Sequence, residues 1–172
     1  PFAAAASALP VATFPLAAAS AQTVAPLPPA LPWSGASERL LVAADDPWVT
    51  PAERAHFATS PGYAEVRAWL ERLAAASPLI ALESFGRTAE GRDLLLVRAS
   101  RGGRAESAAA RKPVVLVQAG IHAGEIDGKD AALMLLRGLA LRGKDHLLDH
   151  VDLVVVPILN VDGHERASAW YR

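Results

Sequence analysis

Two apolar runs, separated by a segment with helical periodicity, place the strongest constraint on how this chain can fold. The runs "PVVLVQAG" (113–120) and "VDLVVVPILN" (151–160) are rich in β-branched residues, as strands buried within a sheet are. Between them, "KDAALMLLRGLALRG" is apolar nearly all round and ends at Gly143, a plausible helix cap. Strand, helix and strand in this order predict a βαβ unit with parallel strands and a right-handed crossover, its helix covering 129–142.

The preceding segments predict a hairpin and further helices. "LIALESFG" and "DLLLVRAS" alternate as strands do, and the polar turn "RTAEGR" joins them. Thr50 and Ser60 are each followed by proline, which predicts a helix start at both positions. In the second helix, apolar residues at helical spacing form one face: Tyr63, Val66, Leu70 and Leu73. The expected class is α/β, with a mixed sheet, a parallel βαβ core and helices on both faces.

Composition limits the kinds of function. A length of 172 residues suits one ordinary domain, and 52% hydrophobic residues are enough for a packed core. The formal net charge of −1 argues against a nucleic-acid or anionic-membrane partner. The absence of cysteine excludes disulfides, thiolate metal sites and a cysteine nucleophile within this chain.

Residues 1–33 differ in composition from the rest of the chain. They are mostly alanine, proline, leucine and valine, and no charged residue precedes Glu38. The tripeptide 19–21, Ala-Ser-Ala, is typical of a signal-peptide cleavage site, although an Ala/Pro-rich disordered linker is the alternative. Repeated prolines argue against a transmembrane helix here. We expect an exported protein, periplasmic or extracellular, whose folded part occupies residues 34–172.

Polar side chains follow both strands of the predicted βαβ unit. The first strand leads into "GIHAGE" and the second into "NVDGHER". Because parallel neighbouring strands end at the same edge of a sheet, we expect His122, Glu125, Asn160 and Asp162 to converge there.

His122 and Glu125 are a chemically sensible pair of metal ligands. An imidazole nitrogen and a carboxylate oxygen suit Zn²⁺, and a spacing of three residues brings both side chains to one side of a helical turn. The H-x-x-E spacing alone is weak, since it also occurs by chance on solvated helices. The glycine-flanked bend between a strand and a helix favours a zinc site.

These motifs together resemble a known family. "VVLVQAGIHAGEIDGKDAALMLLRGLA" followed by "DLVVVPILNVDGHER" is similar to the zinc metallocarboxypeptidases, the carboxypeptidase A-like peptidases, and especially to their exported bacterial members. "ESFGRTAEGRDLLLVRAS" resembles the hairpin that precedes the zinc-binding strand in that family. The resemblance extends over about residues 48–172 and implies an incomplete carboxypeptidase-like fold.

The resemblance implies roles for particular residues. His122 and Glu125 match the first two zinc ligands. Asn160, Asp162 and Gly163 match the turn usually written N-P-D-G and are candidates for substrate binding, with a valine at position 161 instead of proline. Gly124 stands where some members have an arginine that contacts substrate.

The resemblance also implies residues that this chain does not contain. The third zinc ligand, a histidine, and the glutamate that acts as general base are expected downstream of Arg172. The chain therefore resembles the N-terminal portion of a longer enzyme that hydrolyses the C-terminal bond of peptides, and it is expected to be inactive alone. Two alternatives are a zinc amidase or deacylase on the same scaffold, and a catalytically dead carboxypeptidase-like binding module. Oligomeric state is not predictable from these motifs.

Other polar residues have less specific patterns. His146 and His150 have a spacing that can bind metal on a helix, but a solvated helix end explains them as well. His164, Glu165 and Arg166 follow the N-x-D-G turn closely enough to line a cleft. Asp130 is predicted, with Asp127, to cap the helix that follows the H-x-x-E bend.

Overall fold

A four-stranded mixed sheet organises the described part of the protein. The computed structural model describes residues 35–102 and 112–166, so the predicted leader lies outside it. The strands are β1 (Ile80–Arg87), β2 (Asp93–Ala99), β3 (Val114–Gln118) and β4 (Asp152–Val156), in the order β1-β2-β4-β3. β1 and β2 form the predicted antiparallel hairpin, β2 pairs antiparallel with β4, and β3 pairs parallel with β4.

The predicted βαβ unit is present. Helix α3 (Asp127–Leu141) connects β3 to β4 and begins two residues before the predicted start. Pro157 follows β4 directly, as expected for a residue that cannot donate a hydrogen bond to a neighbouring strand. The mixed α/β class is therefore confirmed.

The remaining helices are short except for α2. They are α1 (Pro51–Arg54), α2 (Tyr63–Ala76) and α4 (Val161–His164), with 3₁₀ turns at Ala36–Leu40 and Asp145–Asp149. The cap predicted at Thr50 is present, because its side chain accepts a hydrogen bond from the Glu53 amide and the Glu53 carboxylate accepts one from the Thr50 amide. No helix among the described residues combines the length and hydrophobicity needed to cross a bilayer.

Helix α2 starts later than its sequence predicts. Its first residue is Tyr63 and its N-cap is Gly62, so Ser60 does not cap it. The Ser60 hydroxyl is instead bonded to Asp130 and Lys129 of α3. A tertiary contact has replaced the local cap.

The hydrophobic core lies on one face of the sheet. Alternate residues of the strands point into it, including Val97 of β2 and Val155 of β4, which are register partners. Both α2 and α3 pack on this face, through Leu70 and Leu133 among others. Helices were expected on both faces of the sheet. Among the described residues, the two long helices α2 and α3 lie on the same face.

Strand β3 is more exposed than its apolar sequence predicts. Val114 is 63% exposed and Leu116 is 60% exposed, so the expectation of a fully buried strand is wrong for the described structure. Both side chains point to the face of the sheet that α2 and α3 leave uncovered, because their partners Asp152 and Val154 alternate along β4 with the core residues Leu153 and Val155. In addition, β3 is at the edge of the described sheet and pairs only with β4.

A buried ion pair connects α3 to the N-terminal segment. The Arg137 guanidinium donates to both carboxylate oxygens of Glu53, with an Nη2–Oε1 distance of 2.9 Å. It also donates to the backbone carbonyls of Trp48 and Leu40. Burial raises the pKa of Glu53, but the bonds from Arg137 and Thr50 outweigh this effect, so its pKa is lowered overall.

Candidate metal centre

The loops that follow β3 and β4 run side by side. The Leu159 amide donates to the Ala119 carbonyl at 3.0 Å, and the Asn160 amide donates to the Gly120 carbonyl at 2.8 Å. Parallel pairing thus continues beyond both strands. As predicted, Asn160 lies at the same sheet edge as the loop that carries His122.

Gly120 makes this close approach possible. Its φ of +60° is in the left-handed region, and a Cβ at this position would lie 3.0 Å from the Ile158 Cα. Only glycine combines this backbone conformation with so little space. The turn into the H-x-x-E bend therefore depends on it.

His122 and Glu125 point to the same place. Their side chains are 63% and 61% exposed, and His122 Nδ1 lies 3.0 Å from Glu125 Oε2. The Glu125 amide donates to the His122 carbonyl at 3.2 Å, which closes one turn between them. Ala123 inside the turn is buried and anchors it.

This pair fits a zinc ion by distance and by chemistry. Two ligands about 2.0–2.2 Å from a tetrahedral ion are roughly 3.3 Å apart, close to the separation observed here. Both atoms are accessible, so a metal ion could replace the hydrogen bond between them. Among the described residues, however, no group of three histidine or acidic side chains could enclose a metal ion. The pair would supply half of a tetrahedral shell.

The N-x-D-G turn is held by its own side chains. Asn160 Oδ1 accepts a hydrogen bond from the Gly163 amide at 3.1 Å, which caps α4. A Cβ at Gly163 would lie 2.5 Å from Asn160 Nδ2, so a larger residue there would displace the Asn160 side chain from its capping position. Asp162 binds the Arg92 guanidinium at 2.6 Å and accepts from the Glu90 amide at 3.2 Å. These contacts give Asn160 and Asp162 structural roles, and their contact with substrate stays a prediction.

Comparison with known proteins identifies the family. The family model described as zinc carboxypeptidase matches residues 66–172, which is more than half of the chain. The chain belongs to the zinc carboxypeptidase family. The resemblance noted in its motifs is thereby confirmed.

Curated relatives of this chain are considerably longer than it is. It is 31% identical to carboxypeptidase B of Astacus astacus over 105 residues, which are 59% of this chain and 33% of the relative. It is 35% identical over 108 residues to the inactive metallocarboxypeptidase ECM14 of Saccharomyces cerevisiae, covering 59% of this chain and 24% of the relative. The chain spans about a third or less of the length of both.

Solved structures of carboxypeptidases share the fold. A metallo-carboxypeptidase from Burkholderia cenocepacia matches with a TM-score of 0.52 and 26% identity, over 61% of this chain and 28% of that one. The carboxypeptidase A of Helicoverpa armigera matches with a TM-score of 0.55 and 23% identity, over 66% and 31% of the two chains.

Next to the N-x-D-G turn, His164 is buried rather than lining an open cleft. Burial lowers its pKa, and so does the nearby ammonium of Lys129, whereas Glu165 opposes the shift. Glu165 accepts a hydrogen bond from the Tyr63 amide at 2.8 Å, at the start of α2. Glu165 therefore connects the turn to α2.

One sequence-based assignment near the site is changed by the structure. Asp130 does not cap α3, whose N-cap is Ile126 without a side-chain bond, but accepts from Ser60 and pairs with Lys129. No role was predicted for Lys129, although a lysine in an otherwise apolar helix can indicate a buried charge. His146 lies against the Gly143 carbonyl at 3.0 Å, consistent with a helix end.

Proposed function

We propose that this chain is part of a zinc-dependent metallocarboxypeptidase that hydrolyses the C-terminal bond of peptides. The observation that carries the proposal is the His122–Glu125 pair, whose ligand atoms are 3.0 Å apart at the sheet edge shared with the N-x-D-G turn. Family membership supports it, as does similarity to proteins named carboxypeptidase B.

Within this proposal each residue has a defined task. His122 Nδ1 and Glu125 Oε2 would hold the ion, while the bend from 120 to 125 keeps both atoms on one side. Zinc, when bound, polarises a carbonyl and lowers the pKa of water. A third ligand and a general base are supplied by residues that follow 172 in the full protein, because two protein ligands leave the shell incomplete.

A non-catalytic binding module is the second candidate. One relative at 35% identity is named an inactive metallocarboxypeptidase, so membership of this family does not guarantee activity. The two candidates differ in whether the full protein contains a positioned glutamate base. The enzyme is expected to release the C-terminal amino acid of a peptide substrate, and the binding module is not.

The test uses the full-length gene product and a blocked peptide substrate. We expect release of the C-terminal amino acid, loss of this activity with a chelator, and recovery with zinc. Glu125→Gln should reduce kcat/KM by more than about 100-fold, since even residues that only orient metal ligands cost about 10–100-fold. His146→Asn, another exposed histidine in the chain, is the control and should leave activity unchanged. A folded, zinc-loaded protein without activity would favour the binding module.

The 172-residue chain alone should bind zinc weakly and show no peptidase activity. Two ligands chelate less strongly than three, and no general base is expected within this chain. Calorimetric titration of the chain, of His122→Ala and of Glu125→Ala would measure this, with His146→Ala as the control. Tight binding that disappears in the His122 variant would mean that the chain contains a third ligand, and the proposed division of the site would be wrong.

Export is the corresponding proposal for the leader. The alanine- and proline-rich stretch 1–33, with its small-residue tripeptide at 19–21, supports a cleaved signal, and residues 34–172 then begin the catalytic domain. N-terminal sequencing of the mature protein from its producing cells tests this. A mature protein that retains residues 1–21 in the cytoplasm would contradict it.

A further inference from the structure

The segment 60–63, which precedes and starts α2, receives side chains from α3. Lys129 Nζ donates to Ser60 Oγ at 2.5 Å and to the Pro61 carbonyl at 2.6 Å. The Ser60 hydroxyl in turn donates to Asp130 Oδ2 at 2.8 Å. Three hydrogen bonds therefore attach the first turn of α3 to this segment.

The same segment also receives a side chain from the other loop of the candidate site. Glu165 follows α4 and accepts from the Tyr63 amide at 2.8 Å. The H-x-x-E bend precedes α3, and the N-x-D-G turn forms the start of α4. Segment 60–63 is thus a common anchor for both loops, although it is about 60 residues or more from either in sequence.

Burying the Lys129 ammonium to make this connection costs free energy. The side chain is fully buried, and burial lowers its pKa while Asp130, 3.2 Å away, opposes the shift. Replacing a buried ion pair by apolar residues of similar size is often neutral or stabilising. A role in stability alone therefore does not explain why a lysine occupies this position.

Lys129 is connected to the His122–Glu125 pair through a short stretch of well-packed backbone. It is one helical turn after Glu125, and the Asp130 amide donates to the Ile126 carbonyl at 3.2 Å. Gly128 fits tightly against the end of β3, because a Cβ there would lie 3.0 Å from the Ala119 Cβ. The first turn of α3 cannot shift without moving the residues that hold Glu125.

We propose that Lys129 is a positioning residue which, through Ser60 and Pro61, fixes the H-x-x-E bend relative to the N-x-D-G turn and so sets the metal affinity of His122 and Glu125. The proposal rests on the zinc-binding function proposed above. It gives the segment 60–63 a role in the candidate site, although this segment is far from both loops in sequence.

The test measures zinc binding rather than catalysis. Zinc is titrated into the 172-residue chain while the imidazole signals of His122 are followed by NMR, which detects weak binding. Lys129→Met keeps the length of the side chain but removes the ammonium, and it should weaken zinc binding by about tenfold or more. Ser60→Ala, at a partly exposed position, should weaken binding in the same direction and guards against a Lys129 variant that fails to fold.

Arg137→Met is the matched control. It also removes a buried cation from α3, but eight residues further along, or about 12 Å. It should lower the thermal midpoint while changing the zinc dissociation constant less than twofold. If zinc affinity is unchanged in folded Lys129→Met and Ser60→Ala, or falls equally in Arg137→Met, the positioning role is refuted. If the parent chain shows no response of His122 to zinc, the pair does not hold zinc in this chain and the positioning role is refuted, whereas the zinc function of the full protein is decided by the peptidase assay.

Discussion

At the scale of single residues, Gly120 links the sheet to the metal pair. Its left-handed φ costs an alanine about 1–2 kcal/mol, and the short distance from a Cβ to Ile158 adds to this cost. We expect Gly120→Ala to lower the free energy of unfolding by about 2–4 kcal/mol. Urea denaturation of the purified chain measures the change.

Gly143 provides the control for that substitution. Its φ of +69° is similar, but nothing lies within 4 Å of a Cβ placed there. Gly143→Ala should therefore show the backbone cost alone, about 1–2 kcal/mol. Equal losses in the two variants would mean that the contact with Ile158 is unimportant.

His164 should make stability depend on pH. Burial lowers its pKa below the ordinary value of 6.5, so the unfolded chain takes up a proton that the folded chain does not. Stability is then greatest above pH 6.5 and falls as the pH decreases from 6.5 towards the lowered pKa. Denaturation midpoints between pH 5 and 7.5 would show this slope, and His164→Gln should reduce it. An unchanged slope in the variant would assign the effect to other groups.

The proximity of the His122 and Glu125 side chains could be predicted because its evidence is local. His122 and Glu125 are three positions apart, and glycines mark the bend around them. The role of Lys129 could not be predicted in the same way, because its acceptor Ser60 is 69 residues away. For the same reason Ser60 and Asp130 were each assigned a local capping role that tertiary contacts replace.

At the scale of elements, the pair of Glu53 and Arg137 connects α1 to α3. Removing one partner leaves the other charge buried and unpaired, which typically costs about 3–5 kcal/mol. We expect Glu53→Ala to destabilise the chain by roughly this amount, measured by chemical denaturation. The double variant Glu53→Leu with Arg137→Met should be more stable than either single variant. A double variant whose losses simply add would show that the charges do not interact.

Elements were predictable to different degrees. The composition of β3 and β4 and the periodicity of α3 identify them correctly, since each pattern lies within one segment. The burial of β3 was not predictable, because it depends on which face of the sheet the helices cover and on which strands pair beside it. The start of α2 was displaced by contacts from α3, which no pattern in 60–63 indicates.

At the scale of the whole molecule, the exposed edge of the sheet should govern solubility. An unpaired apolar strand can pair with a second chain, and β3 exposes Leu116. We expect Leu116→Lys to reduce aggregation of the 172-residue chain while changing stability by less than about 0.5 kcal/mol. Static light scattering at increasing concentration measures it. Leu147→Lys, on an exposed leucine outside the sheet, should have little effect, and an equal improvement there would point to general charge instead.

The topology of the molecule was only partly predictable. The parallel pair β3–β4 follows from the βαβ pattern, and the hairpin follows from its turn. That β4 lies between β2 and β3 follows from neither, because sequence order does not fix which edge of a hairpin a later strand joins.

The strand order has a consequence for how the metal shell can be completed. β3 carries the His122 loop at its carboxyl end and leaves its outer side unpaired within the described sheet. A further strand docking there in parallel would end beside His122, on the side opposite to Asn160. A loop that follows such a strand would start close to His122. Pairing of one further strand with β3 would therefore cover the apolar edge and also bring a further potential ligand to the metal pair.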